Sequence, residues 1–258
     1  MKILVITAAI LFANIVNAQE KISEPSIEES PTEQNVQKNI IKTNVTAYIF
    51  RNYNIAYERS IKKWFSINVS YGGVPKGKVP FINSFLSDED QKDFKDIQIS
   101  NSAFTIEPRF YLGAGYGKGF YIAPYYRNTQ TKVENFTYNF DYDNGITMET
   151  IPIAVSGKAS GNSAGLMIGA QWFLGKKDNW VLDLWIAGAH YGKGKGEFTG
   201  KTNRILSPQE QQQLKESLEG QDIPVIEYTV TTNSNGAKIN LDGPWAGLRS
   251  GLSFGYRF

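Results

Sequence analysis

From Ile40 onward there are segments in which apolar and polar residues alternate in steps of two, the period of a strand with two unlike faces. The alternation gathers into eight segments: Ile41–Phe50, Tyr53–Ile61, Trp64–Val74, Ala103–Leu112, Phe120–Thr129, Ser163–Leu174, Trp180–Tyr191 and Trp245–Phe258. Each has roughly the length that a tilted strand needs to cross a bilayer, about nine to eleven residues. The links Arg51-Asn52, Lys62-Lys63, Gly113–Gly119 and Gly175–Asn179 are short, whereas 72–102, 130–162 and 192–244 are long and polar. From the third segment on, long and short links alternate. That is the rhythm of an outer-membrane barrel with both termini periplasmic and its long loops outside.

One parity set is apolar, including Tyr53, Ile55 and Tyr57, then Phe104, Ile106 and Phe110, then Leu252, Phe254, Tyr256 and Phe258. The other set is small and polar, with charges at Glu58, Glu107, Arg109, Asp183 and Arg249. Alternation alone does not say which face is inside, and a soluble lipocalin-like barrel has the same period with its apolar face inward. Such a barrel would carry many Lys and Glu on its wet face. Here that face is mostly Gly, Ser, Thr and Asn, which suits a crowded interior. Trp64, Trp172, Trp180 and Trp245 sit near segment ends, where aromatic girdles meet the membrane interfaces. The expected fold is all-β: an eight-stranded antiparallel transmembrane barrel over 40–258, with extracellular loops carrying short helices.

Ahead of the barrel, residues 1–18 read as a secretory signal: basic Lys2, an apolar run from Ile3, and small or apolar residues at Val16 and Ala18 before Gln19. Residues 19–39 are polar and acidic, with Pro25 and Pro31, and read as a flexible leader. The chain contains no cysteine, one histidine and a formal net charge of +2. These exclude a disulfide framework and a thiolate metal site and give no electrostatic reason to expect nucleic acid. No cofactor or metal is expected, since one histidine leaves only carboxylates beside it.

The stretches KTNVTAYIF, NYNIAYERSIKKWFSINVSYG, EPRFYLG, QWFLGKK and WVLDLW resemble the small outer-membrane barrels of Bacteroidota that are grouped as a domain of unknown function. The resemblance covers 40–258 apart from the long loops, and it implies an eight-stranded fold akin to OmpA-type membrane domains, with no reaction attached. The chain departs from the usual assembly signal, carrying Ser253 where a glycine is customary. Tyr256 and Phe258 still supply its two aromatic positions.

Buried charges must pair, so Glu58, Glu107, Arg109, Asp183 and Arg249 are expected to form an interior salt-bridge network that plugs the lumen, with a proton or ion path as the alternative. His190, in AGAHYGKG, invites comparison with lipid-A-modifying enzymes that place a His beside a Ser at the barrel rim. The His-x-Ser pattern reads His190-Tyr191-Gly192 here, so no catalysis is expected. KGEFTGKT at 195–202 lacks the first glycine of a phosphate loop and its strand-to-helix context.

Among the loops, Ser207 to Gly220 predicts a helix with Ser207 as N-cap, Pro208 at its first position, Glu210 closing a capping box and Gly220 as stop. Leu86–Ile97 predicts a second short helix, and Thr131–Val155 a strand extension turning at Asp143-Asn144-Gly145. These elements either lid the barrel or dock a partner. The expected function is non-enzymatic and structural, as an accessory subunit of an envelope complex, with a rim lipid-A enzyme or a narrow conduit as alternatives. Expected partners are outer-membrane lipid and lipopolysaccharide, the barrel-assembly machinery, and a larger outer-membrane complex reached through 72–102, 130–162 and 192–244.

Overall fold

The computed structural model describes residues 36–78, 96–113, 115–220 and 225–258. Nine strands form among the described residues: β1 (Asn39–Asn44), β2 (Tyr53–Lys62), β3 (Phe65–Lys78), β4 (Gln98–Tyr111), β5 (Gly119–Asp143), β6 (Met148–Leu174), β7 (Trp180–Thr202), β8 (Glu227–Asn233) and β9 (Gly236–Arg257). A 3-10 turn, η1 (Thr46–Phe50), follows β1, and a helix, α1 (Pro208–Glu219), precedes β8. All pairings are antiparallel and sequential from β1 to β7; β9 then pairs with β7 and returns to β1, closing one sheet into a ring. β8 pairs with β9, beside the part of β9 nearest its start.

Ring closure decides which face is inside. Tyr53, Ile55, Phe120 and Leu166 of the apolar set are more than half exposed on the outer surface. Glu58, Asn68, Glu107, Arg109 and Asp183 of the polar set are fully buried. This is the reverse of a lipocalin-like barrel, which hides its apolar face.

The first segment is shorter than its alternation predicts. β1 stops at Asn44 because the Asn44 side chain bends the chain, its Oδ1 accepting from Thr46 Oγ1 at 2.7 Å and from the Ala47 amide at 3.0 Å. The chain then coils through η1 and leaves it at Arg51 in the left-handed region, φ 58°. Other strands are longer than predicted: β5 has 25 residues, β6 27, β7 23 and β9 22, against 10 for β2. Much of 130–162 and 192–244 is therefore a strand wall rising past the short side of the ring, rather than loop. The predicted turn at Asp143–Gly145 is present, with Gly145 at φ 82° and its amide donating to Asp143 Oδ1 at 2.8 Å.

Helix α1 begins as its sequence predicts. Ser207 Oγ accepts from the Glu210 amide, and the Glu210 carboxylate accepts from the Ser207 amide at 2.6 Å. Leu214 seats α1 in a small core with Phe140, Ile151, Ile153, Leu206 and Ala237, and Leu218 packs against it. The distal wall thus has a hydrophobic core of its own, apart from the charged interior of the ring. Among the described residues no helix is long and apolar enough to cross a membrane, which leaves open what the strands do. The predicted signal, nearly all of the leader, and the helix over Leu86–Ile97 except its last two residues lie outside the described residues.

Candidate functional site

The interior of the ring is built by register. Lys42 on β1 lies opposite Ala56 of β2, one step from Glu58, and Ser66 and Arg109 face each other across β3 and β4. Gln171 on β6 faces Asp183 on β7, which faces Ser253 on β9. Side chains from most strands therefore converge at one level.

Two cations sit among three carboxylates there. Lys42 Nζ donates to Glu58 at 2.5 Å, Asp183 at 2.6 Å and Gln171 Oε1 at 2.7 Å. Arg109 Nη1 reaches Asp183 at 2.8 Å and Glu58 at 3.2 Å, while its Nη2 reaches Glu107 at 2.8 Å. Arg249 Nη1 completes the set by donating to the other Glu107 oxygen at 2.8 Å. The structure brings together all five charged residues picked out by parity. Hydroxyls fill the remaining acceptor positions: Ser66 and Tyr111 donate to Glu58, and Tyr121 donates to Asp183. Arg109 also lies over the Tyr121 ring at 4.4 Å. A buried charge left alone costs several kcal/mol, and in this layer each carboxylate meets two cations or a cation and several donors. The layer draws side chains from β1 to β7 and from β9, and those of Lys42, Glu58, Glu107, Arg109 and Asp183 have no exposed surface.

Lys42, Tyr111, Tyr121 and Gln171 complete the layer but do not belong to the predicted charge set. Parity could have found Lys42, two residues before Asn44, and Tyr121, which alternates with the outward Phe120 and Ile122.

Beyond this layer lie Tyr125, Arg127, Trp185, His190 and Arg249. A bulge in β7 lies between Trp185 and Gly188, where Trp185 pairs with Gly251 and Gly188 with Arg249. The bulge flips the parity of the rest of β7, so His190 is directed inward, and its Nδ1 lies 3.1 Å from Tyr125 Oη. Its described partner is a tyrosine, not a serine. The Arg249 guanidinium lies 4.7 Å from the Tyr125 ring and 4.7 Å from the Trp185 ring. Among the described residues no group of three His, Cys, Asp or Glu is arranged to hold a metal ion.

On the outside, Trp64 stacks with Phe110 at 6.2 Å and Trp180 with Phe254 at 5.3 Å, while Tyr256 meets Trp180 edge-on. Trp64, Trp172, Trp180, Tyr256 and Phe258 are all exposed. Trp245 does not belong with them. It lies on the interior parity of β9, with its ring over Gly161 and Gly194; a Cβ at either glycine would stand within 2.5 Å of that ring. The glycines at these positions make room for the indole, which corrects the expectation that Trp245 joins the outer girdle.

The molecule is thus an all-β protein whose single antiparallel sheet closes on itself around a charged interior. No family model and no curated protein matches the chain.

Proposed function

We propose that this protein is an eight-stranded transmembrane barrel of a bacterial outer membrane, with a structural, non-enzymatic role as an accessory subunit of an envelope complex. The observation that carries the proposal is the inverted distribution of residues: exposed Tyr, Ile, Leu, Phe and Trp around the ring, and buried Lys, Arg, Glu and Asp within it. In water that outer surface would be a large apolar patch of the kind soluble monomers avoid. In a bilayer it is the expected face, and a closed ring satisfies the backbone without a free edge. β1 to β7 and β9 make the eight strands of the ring, and β8 belongs to the distal wall.

The structural role is supported by the interior ion-pair layer. Lys42, Arg109, Glu58, Glu107 and Asp183 reach across the ring with no exposed side-chain surface, which suits an anchor for what stands on it better than a channel. The long wall of β5, β6, β7 and β9, with α1 and β8, would stand outside the membrane and offer a surface to a larger assembly. The test has two arms. Carbonate-washed outer membranes should retain the protein, and detergent-extracted protein should migrate differently on a denaturing gel before and after boiling. Release by carbonate together with identical mobility would overturn the membrane assignment. Large stable channels in planar bilayers would overturn the closed lumen.

A further inference from the structure

Between the charge layer and the mouth, on the side where β1 and β2 are short, a cavity of about 570 Å³ opens inside the ring. Its lining includes Asn44, Ser70, Arg127, Arg249 and Ser253, and η1 borders it. The volume is that of a small-ligand site, well beyond what one inorganic ion needs.

The charges around it do not cancel. Among the described residues, from the Lys42 layer to this cavity, there are four cations, Lys42, Arg109, Arg127 and Arg249, and three carboxylates, Glu58, Glu107 and Asp183. Arg127 is the surplus. Its Nη1 donates to Thr105 Oγ1 at 3.0 Å, and among the described residues it forms no ion pair. Arg249 gives Nη1 to Glu107 and stacks on its two aromatic rings, and the edge not facing Glu107 meets no second carboxylate among the described residues. Other donors are also unengaged. Asn44 uses its Oδ1 as an acceptor, which leaves its Nδ2 without a described acceptor, and Ser253 Oγ is buried without a partner among the described residues. A half-buried guanidinium with no counter-charge is costly unless an anion supplies one.

We infer that this cavity is a binding site for a small, oxygen-rich organic anion, of the class of acidic monosaccharides and sugar phosphates, held by Arg127 and Arg249. The fork of a guanidinium takes a carboxylate or a phosphate in the same way, so both belong to one chemistry. The lining is mixed: amides and hydroxyls of Asn44, Asn54, Ser70 and Ser253 can meet the hydroxyls of a sugar, and Phe50 and Trp185 offer apolar surface to its ring carbons. The inference stands on the interior geometry and does not depend on whether the ring sits in a bilayer.

The test is titration calorimetry on the full chain in detergent, with glucuronate, glucose 6-phosphate, inorganic phosphate and glucose as separate probes. Saturable binding of one or both anionic sugars is expected, weakening as salt rises, with glucose and inorganic phosphate much weaker. Arg127→Gln should weaken that binding by about 30-fold or more, the loss typical of removing one partner from a desolvated charge pair, and Arg127→Lys should restore part of it. Arg127 makes a single described side-chain bond, so the variant should fold, and a β-rich circular dichroism spectrum and thermal transition matching the unmodified protein check that it does, whether or not the ring is a membrane barrel. Absence of saturable binding by either anionic sugar, or equal binding by folded Arg127→Gln, would overturn the site. Inorganic phosphate binding as tightly as the sugars would overturn the assignment to an organic anion.

Discussion

Arg109 and Arg249 both meet Glu107, yet they should differ sharply when removed. Arg109 is fully buried and bonds three carboxylates, so Arg109→Ala leaves the buried Glu58, Asp183 and Glu107 short of charge. Breaking a buried pair from one side costs about 3–5 kcal/mol, and that is the expected loss of stability. Arg249 has a side chain 8% exposed, and Glu107 keeps Arg109 when it is gone, so Arg249→Ala should cost clearly less. Guanidinium unfolding followed by tryptophan fluorescence in detergent gives both values; an equal or reversed order would mean that the layer is not the load-sharing unit described. Parity made Glu58, Glu107, Arg109, Asp183 and Arg249 legible from sequence because each lies opposite an apolar run. Lys42 was harder to see. A lone lysine near the start of a strand ordinarily reaches for solvent, and only ring closure from β1 to β9 places it beside Asp183, 141 residues away.

The helix and the strand wall behave differently as elements. The capping signals of α1 are local, from Ser207, Pro208, Glu210 and Gly220, and local signals survive in a single sequence. Ser207→Ala should cost about 1 kcal/mol of helix protection, measured by hydrogen exchange over 208–219. Glu210 adds a pH dependence. Hydrogen bonding from Arg204, helped by the Ser207 amide, lowers its carboxyl from about 4.5 to about 2. A group whose folded pKa is depressed contributes stability above its unfolded pKa and loses it as pH falls through the folded one. Protection of α1 relative to the ring should therefore decline from about pH 4.5 toward about pH 2, and Glu210→Gln should abolish that decline. A decline of the same size in Glu210→Gln would assign it to another group. The extensions of β5, β6, β7 and β9 were not legible beyond the Thr131–Val155 stretch. Lys193-Gly194-Lys195-Gly196 offers no apolar face, and Lys238 to Asp242 alternates over only five residues beside Gly243-Pro244, so the strand state of 193–199 and 238–244 comes from their pairing with each other. The same holds for the end of the first segment, where alternation continues through Phe50 but a three-residue Asn44 turn wins over it.

At the scale of the whole molecule, closure and the apolar outer surface meet at one place, the seam between β1 and β9. The backbones of Asn39 and Phe258 exchange two hydrogen bonds, at 3.0 and 2.9 Å, and Ile41, Thr43 and Asn44 continue the pairing to Tyr256, Phe254 and Ser253. Deleting Phe258 removes both bonds and should sharply reduce the fraction of protein that shows the boiled-against-unboiled mobility difference. That outcome alone tests closure, since any closed ring would suffer from it. Changing Tyr256 and Phe258 together to Ser separates the two ideas. The backbone bonds are retained, and the lost side chains are 42% and 51% exposed on the outer surface. In water, substitutions at such exposed positions usually change stability by no more than about 0.5 kcal/mol, so a soluble ring would be nearly indifferent. At a membrane interface the same aromatics are favoured anchors, and their loss should severely reduce folded protein in the outer membrane. Phe254→Leu is the control: it keeps an apolar outer face, gives up its stacking on Trp180, and should assemble almost normally. Normal levels of folded Tyr256→Ser/Phe258→Ser protein would show that the exposed aromatic surface has no lipid to meet.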